Sequence, residues 1–199
     1  MIALFDSLMC SVSTNSATKF DPSQSNSHLA FADDNRSATR PGSVSSYPLA
    51  RAPITRGPGF KPGQPRSFSV CLERAPNVSN STSFGVAAKS IRNEGSDGIG
   101  PTSNTWGVIC SFGSASAPTK VVASGKQVAT WRMLEEGDVL RAQYFPDGRL
   151  IISLNLFECE HCFDLPAEVV AHFGSSSADD DQYTFAMTIA TDHRIKICL

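Results

Sequence analysis

The residues best placed to do chemistry are Cys159-Glu160-His161-Cys162, a Cys-x-x-Cys pair. At that spacing a tight turn brings two sulfurs together, either to share one Zn²⁺ or to close a redox disulfide. Each chemistry needs more than the pair itself. A structural zinc site takes four ligands, and the sequence holds neither a second Cys-x-x-Cys nor two histidines at zinc-finger spacing. A thioredoxin-like site wants its pair at a helix N-terminus in a βαβ setting, whereas this one follows a β-hairpin pattern. On a strand, moreover, Cys159 and Cys162 point to opposite faces. A thiol-redox or zinc-binding protein is therefore the second reading, and two incidental strand cysteines the first.

The other reactive residue types are no better arranged. His28, His161, His172 and His193 lie in unrelated polar contexts, and no Gly-x-Ser-x-Gly nucleophile elbow occurs. Gly95-Ser96-Asp97-Gly98-Ile99-Gly100 is glycine-rich, but no Lys-Ser/Thr follows it to hold a phosphate. Asp179-Asp180-Asp181 places three carboxylates in a row, whereas a Ca²⁺ loop alternates its oxygen ligands. These absences predict a protein that is not an enzyme, with no catalytic residue, no metal and no cofactor.

The elements that would carry any site are strands. Twelve prolines and fourteen glycines punctuate many short apolar runs across 199 residues, which favours an all-β domain over a helical bundle. Leu140, Ala142 and Tyr144 alternate with Arg141 and Gln143, and Leu150, Ile152 and Leu154 with Arg149, Ser153 and Asn155. Period-2 alternation marks strands with one buried side. Between them, Pro146 presets φ, Asp147 can bond its own backbone, and Gly148 accepts the left-handed position, so the stretch reads as an antiparallel hairpin.

Further strands are expected at His28–Phe31, Ser37–Arg40, Ser67–Glu73, Phe84–Ala88, Trp106–Phe112, Lys120–Ala123 and Gln127–Trp131. At most one more lies near Tyr47–Ile54, because the prolines between positions 41 and 65 forbid a central strand. Leu156–Phe163 continues the sheet, and Pro166–Phe173 is a helical turn or an irregular strand. Tyr183–Ala190 and Arg194–Leu199 are expected to close the domain as a hairpin about Thr191-Asp192-His193. The count, roughly ten to thirteen strands at turn spacings of about 8–12 residues, is that of an antiparallel β-sandwich of two sheets. Its core should hold Phe68, Val70, Phe84, Val86, Trp106, Leu140, Leu150, Ile152, Phe185 and Ile195.

Several of these segments together resemble the SPRY (B30.2) family. Leu134-Glu135-Glu136-Gly137-Asp138-Val139 is similar to its "leu-x-x-gly-asp-val" entry, and Ser153-Leu154-Asn155 to its "ser-leu-asn" exit. Gly85-Val86-Ala87 and Trp106-Gly107-Val108 look like two further family strands, and Phe20-Asp21-Pro22, His28–Phe31 and Asn35–Arg40 like its opening. Asn35–Arg40 also looks like the start of a neuralized homology repeat, a relative of the same sandwich. Leu156 departs from the pattern, standing where the family usually has Gly.

The resemblance implies a concanavalin-like jelly-roll that binds a peptide segment or protein partner through loops at one edge. Many such domains serve as substrate receptors for ubiquitin ligases. Carried onto this chain, the partner-binding residues fall in two loops, Arg92, Glu94 and Asp97 before Gly98, and Thr191, Asp192 and His193 in the last turn. Arg40–Ser46 and Arg74–Thr82 flank them, and Trp106 is assigned to packing.

Charge distribution weighs against the main competing partner. Arg36, Arg40, Arg51, Arg56, Lys61 and Arg66 occupy residues 35–72 without an acid, but only Tyr47 and Phe60 supply aromatic rings for stacking before Phe68, and the net charge is −2. That is a solvated surface rather than a nucleic-acid platform. No run reaches the roughly 18 apolar residues of a membrane span. Met1–Phe5 is apolar but lacks a basic flank and is cut by Asp6, which is unlike a signal peptide. The expectation is a cytoplasmic, monomeric chain with reduced thiols, residues 1–19 an extension packed in part on the sandwich and 20–199 the domain.

Overall fold

A computed structural model describes residues 15–16, 19–42, 48–52, 64–75, 82–91, 99, 104–112, 118–156, 158–173 and 182–198. Among them are fourteen strands and one helix in two antiparallel sheets. The strands are β1 (Asn15–Ser16), β2 (Ala30–Ala32), β3 (Ser37–Thr39), β4 (Leu49–Ala52), β5 (Arg66–Arg74), β6 (Thr82–Ala88) and β7 (Thr105–Cys110). They continue as β8 (Thr119–Ala123), β9 (Lys126–Trp131), β10 (Val139–Tyr144), β11 (Arg149–Leu154), β12 (Cys159–Asp164), β13 (Tyr183–Thr188) and β14 (Arg194–Ile197). The larger sheet runs β12-β11-β10-β5-β14-β3-β2, and the smaller β4-β13-β6-β7-β8-β9. The one parallel pairing between named strands is β1 on β5, so Asn15 and Ser16 of the expected extension add to the larger sheet.

The expected hairpin is β10–β11, with Leu140 opposite Leu154 and Tyr144 opposite Leu150. Its turn uses the chemistry the sequence carries. The Arg149 N–H donates to Asp147 Oδ1 at 3.2 Å, and Gly148 sits at φ 93°. Leu140, Leu150, Ile152 and Leu154 are wholly buried, whereas Arg141, Gln143 and Ile151 are half-buried and Arg149 is exposed.

All ten expected core residues are buried. At the centre, Phe68 of β5 stacks on Phe84 of β6 and Phe185 of β13, with ring centroids 5.6 and 5.5 Å apart. These three rings join the sheets face to face, and aromatic pairs at this distance add about 0.5–1.5 kcal/mol beyond the area they bury. Trp106, 4% exposed, packs on Tyr183 at 6.1 Å, as its assignment to the core requires.

In the smaller sheet β6 and β7 approach unusually closely. Gly85 lies opposite Gly107. A Cβ on Gly107 would stand 2.2 Å from the Phe84 carbonyl oxygen, and one on Gly85 2.1 Å from that of Trp106. The glycines of the two family-like segments are thus one feature, a cross-strand contact that excludes side chains from both members.

Two expectations are corrected and one alternative is decided. Tyr183–Ala190 and Arg194–Leu199 do not pair as a hairpin. β13 lies between β4 and β6 in one sheet, and β14 between β3 and β5 in the other, so residues 189–193 cross between sheets. The burial patterns differ accordingly, since every residue of β13 is buried while β14 alternates. Of the two alternatives for Pro166–Phe173 the helical one holds, as α1 (Ala167–Phe173), and the Pro166 carbonyl accepts the N–H groups of Val169 and Val170. Proline before the first turn forfeits no helical bond there. The second correction is that half of the basic set of residues 35–72 is not solvated, because Arg40, Arg51 and Arg66 are 5%, 2% and 3% exposed; Arg56 and Lys61 lie outside the described residues.

Arg51 shows what such burial does. Its guanidinium donates to Thr184 Oγ1 at 2.7 Å and to the carbonyls of Ala88 and Ile91 at 3.3 and 2.8 Å. It tethers β4 to β13 and to the segment leaving β6. Burial lowers its pKa to about 10. No helix of the described residues is long and apolar enough to cross a membrane.

Candidate binding cleft

At the end of the sandwich where β13 hands over to β14, a cleft of about 1090 Å³ opens. Its lining includes Arg40, Glu73, Arg74, Glu136, Asp192 and Arg194, with Thr39, Pro41, Gly137 and His193. Every strand contributing to it ends here. β3 stops one residue before Arg40, β5 ends at Arg74 and β14 begins at Arg194, so strand ends bring these three residues to the same cleft.

The crossover turn is held from both sides. Asp192 has φ 62°, a left-handed conformation that Asp tolerates better than most residues. Its N–H donates to the Arg40 carbonyl at 3.3 Å, and the His193 N–H to that of Ala190 at 3.1 Å. His193 is fully buried, with its Nδ1 2.7 Å from Thr82 Oγ1 and its ring edge-on to Phe112 at 4.8 Å. Thr82 Oγ1 also accepts the Ala190 N–H at 3.2 Å, so one hydroxyl ties the His193 ring to the start of the turn. His193 thus holds the floor of the turn instead of presenting a ring to solvent. Asp192 is exposed and Thr191 half-buried.

The charges around the cleft are unequally committed. Glu73 pairs with Arg194 at 2.9 Å and Lys196 at 3.6 Å, and Asp33 reaches the same two cations at 3.8 and 3.7 Å. Glu136 Oε1 accepts the Ala75 N–H at 3.0 Å. Among the described residues neither Arg74 nor Asp192 has an ion-pair partner, although both are exposed. They are the cation and the anion that this surface leaves available to a ligand.

A polar network fixes the loop that delivers Glu136. Arg132 grips Asp138 with two N–H groups at 2.8 and 2.9 Å and also bonds Glu158. Asn155 Nδ2 joins the two carboxylates, at 2.8 Å to Asp138 and 2.9 Å to Glu158. Asp138 Oδ2 accepts the Glu135 N–H as well. Burial works to raise the Asp138 pKa, but Arg132, the Glu135 amide and Asn155 outweigh it and hold it below the ordinary value. Bonds from Arg132 and then Asn155 bring Glu158 to about 2. The family-like "gly-asp-val" and "ser-leu-asn" segments therefore meet in space, and their Asp and Asn brace the edge of the cleft.

Of the residues expected from the sequence, Asp192 and His193 line the cleft and Thr191 adjoins it. Arg92, Glu94 and Asp97 lie outside the described residues, and so do most of the flanking loops Arg40–Ser46 and Arg74–Thr82, whose first residues Arg40 and Arg74 are in the lining. The β6–β13 register separates the two expected loops. Ala88, from which the segment with Arg92, Glu94 and Asp97 departs, pairs with Tyr183, while Thr188, which leads to Thr191–His193, pairs with Ser83. The segment returns to β7 at Thr105, opposite Ala87. Its described anchor points are thus at the far end of the strands from the cleft, and Arg92, Glu94 and Asp97 themselves lie outside the described residues. Glu73, Glu136 and Arg194 went unnoticed in the sequence, and Arg74 entered only as the start of a flanking loop, because each is an ordinary strand-end or turn charge until β14 is known to join β5.

The cysteine pair offers no second site among the described residues. Cys159 and Cys162 lie on β12 opposite Leu154 and Ile151, one half-buried and one exposed. Burial and then Asp164 push the Cys162 thiol up. No three metal-ligating side chains gather among the described residues.

No protein-family model matches the sequence, and no curated protein matches it either. Solved structures do. The TRIM65 PSpry domain is similar with a TM-score of 0.64 at 12% identity, over 93% of this chain and 94% of that one. The SPRY domain of human HERC1 gives 0.56 at 12% identity over 90% and 96%, and a further human SPRY domain 0.54 at 10% over 85% and 94%. The two-sheet sandwich of this chain is the SPRY-domain fold.

Proposed function

We propose that this protein is a protein-interaction module that takes a peptide segment or a protein partner into the cleft between Arg74 and Asp192. The observation that carries the reading is the pairing pattern around the cleft. Glu73, Arg194 and Glu136 are engaged within the fold, while the opposite charges of Arg74 and Asp192 stand exposed without a described ion-pair partner. Such a rim favours a partner that presents an acidic and a basic group spaced across the opening. Charge complementarity of this kind sets specificity and association rate more than raw affinity. Thr191 and Asp192 contact the partner, and His193 supports them from beneath. The segment carrying Arg92, Glu94 and Asp97 leaves β6 and enters β7 at the other end of those strands and takes no part in the proposed contact.

The SPRY likeness supports the same reading, since the resemblance implies recognition through loops rather than catalysis. A role as the substrate receptor of a ubiquitin ligase rests on that likeness alone. Peptide selection from a random library on the immobilised chain tests the proposal. Selected peptides should lose binding to Arg74→Glu and to Asp192→Lys, with the melting temperature of each variant within a few degrees of wild type. Equal binding by both variants would overturn the assignment of the cleft. Ligase subunits co-purifying with the chain would support the receptor role, and their consistent absence would remove it.

A further inference from the structure

Cys71 and Cys198 form a pair of a different kind from Cys159 and Cys162. Cys71 lies on β5 directly opposite Lys196 of β14. Cys198 follows immediately after β14, and its N–H donates to the Ser69 carbonyl at 2.9 Å. Side chains two residues apart on a strand share a face, so Cys71 and Cys198 are diagonal neighbours on the outer face of the larger sheet. Both are half-buried free thiols. Their further contacts are weak, Cys71 Sγ to the Gly137 carbonyl at 3.9 Å and Cys198 Sγ to that of Lys196 at 3.8 Å. Cys110 is fully buried, and Cys159 and Cys162 are on opposite faces of β12. No other two thiols among the described residues are so matched.

We propose that Cys71 and Cys198 are an oxidation site, at which a small-molecule disulfide such as oxidised glutathione converts the two thiols to an intramolecular disulfide. In the first step the Cys71 thiolate attacks one sulfur of the oxidant. A Cys71–glutathione mixed disulfide forms, and the other glutathione leaves as a thiolate that takes a proton from water. In the second, Cys198 loses its proton and attacks the Cys71 sulfur, expelling the second glutathione. Two protein thiols are oxidised and one glutathione disulfide is reduced to two thiols, so the exchange balances.

The order follows from the surroundings. Burial and then Glu73 push the Cys71 thiol up, while the neighbouring Cys198 thiol favours the Cys71 thiolate. Burial pushes Cys198 up too, and the charge of ionised Cys71 adds to it, an obstacle that disappears once Cys71 is capped. Diagonal neighbours lie about 7–8 Å apart across a ladder, beyond the usual disulfide Cα span of about 4.4–6.8 Å. The closing shift falls on Cys198, which lies past Ile197, the last residue of the ladder. The cross-link would join β5 to β14, the strands that carry Glu73, Arg74 and Arg194 to the cleft.

The test uses the full 199-residue chain, reduced, then treated with oxidised glutathione at several pH values and mapped by mass spectrometry without reduction. The Cys71 and Cys198 peptides should appear joined, lighter by two hydrogens than their sum, with the rate rising as pH rises. Cys198→Ser should trap glutathione on Cys71 as a lasting adduct. A lasting adduct on wild-type Cys71, a link from either residue to another cysteine, or no reaction at either would overturn the proposal.

Discussion

At Leu156 the backbone is held at φ 59°, directly after Asn155 at φ 47°, in the turn that joins β11 to β12. Left-handed backbone costs a residue with a Cβ roughly 1–2 kcal/mol, and Leu156, 57% exposed, recovers little of that by burial. Leu156→Gly should therefore stabilise the protein by about 0.5–1 kcal/mol once the greater chain entropy of Gly is subtracted, as read from urea denaturation. Gly107 is the converse case. Gly107→Ala would drive a methyl to 2.2 Å from the Phe84 carbonyl oxygen, where the contacting atom is backbone and cannot swing away. It should destabilise by about 1–3 kcal/mol or more by the same measurement. Leu156 was visible in the sequence as a departure from the family pattern, and the turn keeps its left-handed form despite it. The Gly85–Gly107 contact was not visible, because nothing in either strand alone says which residue stands opposite.

Single elements were largely legible, and the way two of them join was not. The β10–β11 hairpin carries its own register in the alternation of Leu140, Ala142 and Tyr144 and in Pro146-Asp147-Gly148, so local chemistry decides it. Ile152→Ala should cost about 2–5 kcal/mol from that fully buried position. Ser153→Ala removes one hydroxyl beside Arg141 and Glu160 and should cost under about 1 kcal/mol, even though Ser153 is only 6% exposed. Equal losses in denaturant melts would contradict the face assignment. The crossover from β13 to β14 was misread as a hairpin because a short polar turn between apolar strands serves either connection. The network of Arg132, Asp138, Asn155 and Glu158 likewise needs elements far apart in the chain. With both carboxylates held below their ordinary values, its stabilisation is present above the usual Glu value of 4.5 and is lost as pH falls toward about 2. Arg132→Gln should accordingly lower the melting temperature most above about pH 5, and the two proteins should converge near pH 2.

Taken whole, the molecule separates its recognition ends by the length of β6. The six β6–β13 pairs run from Tyr183–Ala88 to Thr188–Ser83, which at about 3.3 Å per residue sets the two ends some 17 Å apart. On the proposed reading the partner contacts Asp192 and not the segment carrying Asp97, so the effects of the two residues should be independent. For peptides selected on the immobilised chain, Asp192→Ala should weaken binding at least tenfold, a loss of about 1.4 kcal/mol or more. Asp97→Ala should leave it unchanged, and the double variant should match Asp192→Ala alone. Because Asp192 is exposed at the rim, added salt should weaken the wild-type complex more than the Asp192→Ala complex. Isothermal titration of the three variants at two salt concentrations reads both effects. A loss on Asp97→Ala that adds to the first would show the two ends acting on one partner, and the ligand would then have to span the sandwich.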